Sequence, residues 1–283
     1  KGTYRVTRGD FATITVDMQE TSEGYVWIGG SEVNFLRLVQ IQDSDQDGDV
    51  TFRMNTLWAD RTESQAPVDV YTSETDTVDD VTDRIPADDF DDLQINRSLN
   101  NVIEPATYEV QAALDDSYNI QGGSLQVSSV DVSAMVVSAP ETADATAFIA
   151  PLQRANAYDG PGELQDAVTQ SNDVAIGDQM IVRYNVSGVF GGIQDASDLA
   201  AHPNVSLSFL QTNPSVNRDP LIMDFSASPQ GGEAYVDPAN GTIWAVVDTS
   251  RASATNTGQN VPEIGPGQTY VATLDITLRS WTG

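Results

Sequence analysis

The chain has 283 residues, 42 of them Asp or Glu against 13 Lys and Arg, a formal net charge of -29 and no cysteine. So acidic a surface repels phosphate backbones and anionic lipids, which excludes nucleic acid and membrane surfaces as partners. The lack of cysteine excludes disulfides, thiolate metal sites and thiol nucleophiles.

Of the acids, 31 are Asp and 11 Glu, and Lys1 is the one lysine. Short carboxylates hold hydrated cations close to the backbone, so this skew reads as adaptation to brine. At molar salt the Debye length is about 3 Å and the self-repulsion of such a charge is tolerable. The expected partners are hydrated cations, other proteins and glycans. No run of about 18 apolar residues occurs, so no direct membrane insertion is expected of this segment. With no Met and no signal-peptide pattern at Lys1, the chain is expected to be a mature or excised piece of a longer protein.

Period-2 alternation recurs along the chain and sustained 3.6-residue stripes do not, which predicts an all-β fold. Strands are predicted at 11–18, 25–28, 33–41, 50–57, 107–114, 180–187, 205–210, 241–247 and 270–278, each bounded by Gly, Pro, Asp or Asn. Residues 73–93, acidic and poor in apolar side chains, read as a solvated excursion. Short helical turns are predicted at 161–169 and 196–201, as loop decorations.

The length suits two domains, and a weak repeat supports them. Gly9, Asp10 and the strand that follows are echoed by Gly177, Asp178 and theirs. Pro105, Thr107, Tyr108, Val110, Leu114 and Asp115 are echoed by Pro266, Thr269, Tyr270, Ala272, Leu274 and Asp275. Such landmarks suit two tandem immunoglobulin-like β-sandwiches; the competing reading is chance recurrence of turn residues. Alternation slips phase at Ser128 and Ser129, as a chain leaving one sheet for another would, so the expected domains are 1–128 and 129–283.

Asp43, Asp45, Asp47, Gly48 and Asp49 spell D-x-D-x-D-G-D between two predicted strands. In a calcium loop, oxygens at positions 1, 3 and 5 converge on the ion, Gly at 6 permits the turn and position 7 lends its carbonyl. Position 12 is Met54, so a calcium site would need another carboxylate. The alternative is a solvated acidic hairpin. Calcium is the one cofactor suggested; no organic cofactor is. Sequons occur at Asn96, Asn185, Asn204 and Asn240. Strand phase sets Asn185 opposite Val182, Tyr184 and Val186, and Asn204 opposite Val205, Leu207 and Phe209, so both are expected to face outward, as glycan acceptors or as plain surface asparagines.

Arg8, Gly9 and Asp10 form a cell-adhesion tripeptide, yet the echo at Gly177 and Asp178 lacks the Arg, which favours a turn. His202 is the only histidine and has no catalytic or metal-binding companion in sequence. Trp27, Trp58, Trp244 and Trp281 read as core residues, with sugar platforms as the alternative. Paired-carboxylate hydrolysis has no distinguishing spacing.

Three strings carry a family resemblance. They are Asp166 to Thr169 leading to Asp173, Val174, Ala175, Gly177 and Asp178; Gln211 to Pro214 with Asn217, Arg218 and Pro220; and Val236 to Asn240 leading through Ile243 and Trp244 to Thr249. With Gly9, Asp10, Val33, Asn34 and the acidic segment 43–49, the chain resembles the extracellular domains of haloarchaeal cell-surface glycoproteins. That resemblance implies an exported, N-glycosylated, anchored protein with an S-layer-like or filament-like structural role, self-assembling, and it brings no catalytic residues. The reading is therefore a non-enzymatic structural surface protein. The alternative is a calcium-dependent adhesive or ligand-binding module, and a hydrolase stands third.

Overall fold

The computed structural model describes residues 2–18, 21–59, 68–70, 76–96, 102–141, 144–152, 158–201, 205–224, 232–252, 254–256, 259–261 and 264–276. His202, Asn204 and Trp281 lie outside them. The fold is all-β, and the chain divides into two compact units, Lys1–Pro140 and Glu141–Gly283. No described helix is long and apolar enough to cross a membrane.

The first unit contains β1 (Thr3–Thr7), β2 (Phe11–Asp17), β3 (Glu23–Gly30), β4 (Phe35–Gln42), β5 (Asp49–Asn55), β6 (Val68–Val70), β7 (Thr77–Asp80), helix α1 (Ala87–Asp92), β8 (Thr107–Gln121) and β9 (Ser124–Ser138). Six strands form one sheet in the order β1-β9-β8-β3-β4-β7, and β2-β5-β6 form a second. In β2, Ala12 and Ile14 are buried while Thr13 and Thr15 are exposed, the alternation of a strand with one wet face. Ala12, Ile14, Phe52 and Met54 pack against Val26, Ile28, Tyr108, Val110 and Met135 of the larger sheet, making the core between the sheets.

The larger sheet is covered on its other face as well, which is why β3 buries an unbroken run from Val26 to Gly30. Val81, Ile85, Phe90, Leu93 and Ile95 pack there on Trp27, Leu36 and Leu38. This corrects the reading of 73–93 as solvated. Its described part, from Asp76 on, holds β7 and α1; its sparse apolar residues are spaced to face one sheet, while most of its acids face water and Asp76 is buried. The phase slip at Ser128 and Ser129 also has a different cause. It lies inside the β8–β9 hairpin, where the register is broken between Ala112 and Tyr118, so it is a β-bulge. Residues 129–138 therefore belong to the first unit, and the division falls at Pro140 instead of 128.

The second unit contains β10 (Asp144–Ala150), α2 (Pro161–Ala167), β11 (Thr169–Gln170), β12 (Gln179–Asn185), α3 (Ala196–Ala201), β13 (Val205–Gln211), β14 (Ile222–Asp224), β15 (Gly232–Asp237), β16 (Thr242–Asp248), β17 (Ala254–Asn256), β18 (Gln259–Val261) and β19 (Tyr270–Ile276). Its sheets run β11-β10-β12-β16-β15 and β18-β17-β14-β13-β19. Both helical turns expected at 161–169 and 196–201 are present. Leu164 of α2 packs with Ile181, Trp244 and Val246 on one face of the first sheet. The opposite face is buried too, so β16 reads as a continuous apolar run.

The repeat seen in sequence is a repeated joint. Gly9 donates its N–H to Thr56 Oγ1 at 2.8 Å, and that hydroxyl donates to the Asp10 carbonyl at 2.7 Å. Gly177 donates to Thr249 Oγ1 at 2.8 Å, and that hydroxyl donates to the Asp178 carbonyl at 2.6 Å. The glycines have φ of 98° and 103°, a left-handed backbone that a side chain disfavours. Each Thr follows the strand paired with the one its Gly-Asp turn opens, with Phe11 opposite Asn55 and Gln179 opposite Asp248. The Arg8-Gly9-Asp10 tripeptide is thus a structural turn, with Arg8 paired to Glu104 at 2.9 Å.

Candidate metal centre

The segment 43–49 is not a hairpin. It carries the chain from β4 in the six-stranded sheet to β5 in the three-stranded one, a crossover at the end of the sandwich. At its start Asp43 donates its N–H to the Ser22 carbonyl at 3.0 Å, and at its end Met18 donates to the Gly48 carbonyl at 2.8 Å. Between these anchors the backbone turns through Gln46 at φ 62° and Gly48 at φ 98°.

The loop is organised around carboxylates. Asp43 is buried and accepts from Gln46 N–H at 2.6 Å and from Gly48 N–H at 3.2 Å. Asp45 accepts from Asp47 N–H at 3.2 Å, and Asp47 accepts from Asp49 N–H at 3.1 Å. Asp43, Asp45 and Asp47 each bring one carboxylate oxygen within 4.8 Å of the others. Two oxygens that each lie 2.3 to 2.6 Å from one calcium ion are at most about 5 Å apart, so the spacing suits that ion. Asp49 does not join the group; it opens β5 opposite Asp17.

Sequence reasoning asked for a further carboxylate and did not find it. Asp76, the residue before β7, is buried against the loop and accepts from Ser44 N–H at 3.0 Å. Burial raises its pKa, the Asp45 and Asp43 charges add to the rise, and backbone amides of Ser44 and Asp45 oppose it. The register that brings Asp76 here, Thr77 opposite Gln42, joins residues 35 apart and leaves no local signal.

Of the sequons, Asn96 is exposed and its N–H is held by Asn34 Oδ1 at 2.7 Å. Asn185 ends β12, exposed, with Val182, Tyr184 and Val186 buried around it. Asn240 lies in the turn between β15 and β16, where its side-chain amide donates to Asp237 Oδ2 at 2.8 Å. Asn185 and Asn240 are neighbours across the sheet. Asn185 pairs with Thr242, and Val186 N–H donates to the Gly241 carbonyl at 2.9 Å. Trp27 and Trp244 are each almost wholly buried, as expected of core residues. At about 150–250 Å² of buried area and about 25 cal/mol per Å², each contributes roughly 4–6 kcal/mol. Trp58 is partly exposed, in the turn after β5.

The family described as "Domain of unknown function (DUF7827)" matches residues 1–113, most of the first unit. Three curated relatives cover far more of the chain. A protein named "Cell surface glycoprotein" from Haloferax gibbonsii is 28% identical over 88% of this chain. "Cell surface glycoprotein 2" and "Cell surface glycoprotein 1" from Haloarcula hispanica are 25% and 23% identical over 94% and 86% of it. The matched region is 26% of the first relative and 28% of the other two, so the chain spans about a quarter of their length. Across both units, this chain resembles haloarchaeal cell surface glycoproteins.

Proposed function

We propose that the chain is a pair of tandem immunoglobulin-like modules in an extracellular cell-surface glycoprotein of a halophile. Its role in this reading is structural, as a self-assembling subunit of an S-layer-like coat or extracellular filament. The observation that carries it is the reach of the similarity, which extends over both units and not one alone. The strand order supports the immunoglobulin-like description. In each unit the strand opened by the Gly-Asp turn pairs with the strand that ends at the clamping Thr, while the Tyr-bearing strand lies in the opposite sheet. Tyr108 also donates to the Glu104 carbonyl at 2.6 Å, as a tyrosine corner does. Asn96, Asn185, Asn204 and Asn240 are the proposed glycan acceptors, and Asp43, Asp45 and Asp47 the proposed calcium ligands, with the Asp49 carbonyl as a further donor.

Electron cryotomography of the surface of the source cells tests the reading. It expects the protein in a repeating array or filament; isolated, irregularly spaced copies would overturn it. The convergence of three Asp oxygens favours a second reading, a calcium-dependent adhesive or ligand-binding module, which predicts those isolated copies and a calcium-dependent attachment of cells to a surface.

A further inference from the structure

Residues 1–9 hold Lys1, Arg5 and Arg8 and no acid, a net charge of +3 in a chain of -29, although Arg8 is already paired with Glu104. Most of that stretch is β1, the edge of the six-stranded sheet. It pairs in parallel with β9 on one side, and no described strand lies on the other. Arg5 is exposed on the outward face beside Val136 and makes no ion pair with a described residue. Further along β9, Val130 and Val132 are 63% and 44% exposed on that side of the unit.

The second unit has an edge of opposite character. β19 pairs with β13, and no described strand flanks its other side. Its counterpart β8 is flanked by both β3 and β9, and there Tyr108 and Val110 are buried. The matching positions Tyr270, Ala272, Leu274 and Ile276 are only half-buried. The lane beside β19 is therefore lined with apolar side chains that one more strand would cover. On the outward face, Val271, Leu210 and Ile222 stand in one register row, 53%, 42% and 42% exposed, with Asp275 exposed on β19 as well. An apolar row this continuous, beside an edge that no described strand covers, suits a contact surface.

We propose that a second copy of this chain docks here edge to edge, β1 of one copy extending the β13–β19 sheet of the next. Arg5 then meets Asp275, and the apolar row of β9 continues the row through Val271. A basic edge in an otherwise acidic molecule selects such a partner over like-charged edges. The two surfaces differ, so the contact is head-to-tail and propagates into a filament or closes into a ring. This inference rests on the self-assembling reading above and names its interface.

The chain has no cysteine, so engineered thiols report unambiguously. Arg5→Cys and Asp275→Cys proteins, both altered at exposed positions, are mixed in molar salt under mild oxidation, with sedimentation run in parallel. The expected result is a disulfide-linked pair at roughly tenfold the yield of Arg5→Cys mixed with Asp83→Cys, because only neighbouring strands bring two Cβ atoms within bonding range. Assembly by sedimentation with no cross-link above that control would overturn the edge-to-edge contact and leave self-assembly standing. Monomers throughout would overturn both.

Discussion

Asp76 is held by loop amides and buried beside two other carboxylates, so in the proposed calcium site its proton and the ion would compete for the same place. Its folded-state pKa is raised above 3.8, mainly by burial, so without a cation its neutral form stabilises the fold at low pH. That contribution is lost as pH rises through the raised value, and calcium at the proposed site would offset the loss. Calcium affinity measured by calorimetry is therefore expected to fall on acidification at a pH above the ordinary Asp range. Asp76→Asn should remove that pH dependence and weaken binding by about 10–100-fold, as loss of a supporting carboxylate does. Asp45→Ala should abolish binding, and an unaltered isotherm in Asp45→Ala would remove the loop from consideration. The aspartates at 43, 45 and 47 were legible because their spacing is local; Asp76 was not, because only sheet pairing brings it there.

The Gly-Asp turns and their threonines are the joints on which each sandwich closes. Replacing Thr56 by Val keeps the shape but leaves the Gly9 N–H without its acceptor, at a cost of about 1–3 kcal/mol for a buried unsatisfied group. Thr56→Val and Thr249→Val should each lower the urea midpoint and speed amide exchange at Gly9 or Gly177 respectively. Unchanged exchange at those amides would show that the clamp adds nothing. The turns themselves were readable as Gly-Asp followed by alternation, whereas the threonines were not, since one hydroxyl among many carries no local mark. The strands at 107–114 and 180–187 were legible from their own residues. The continuation of β8 to Gln121 was not, because its register breaks after Ala112 and alternation fails across a bulge. Val81, Ile85, Phe90 and Leu93 were hidden for a similar reason, being outnumbered by acids, most of which stay exposed.

Taken whole, the molecule is a pair of ordinary β cores under an extraordinary charge. Moving it from molar salt to about 10 mM lengthens the Debye length from about 3 to about 30 Å. Circular dichroism should then show a large fall in melting temperature, and a constant value would contradict the brine reading. At the alkaline end, burial pushes Tyr108, Tyr118 and Tyr270 up to about 12. An acid with a raised folded pKa contributes stability that is fully present below its unfolded value of 10.0 and lost as pH rises through the folded one. Stability should therefore fall between pH 10 and pH 12, with absorbance at tyrosinate wavelengths rising together with unfolding. Assembly is the claim on which the functional account turns, and sedimentation velocity of the intact chain in molar salt with calcium tests it most directly. The account predicts species larger than the monomer that grow with concentration; a single monomeric boundary at every concentration would contradict it.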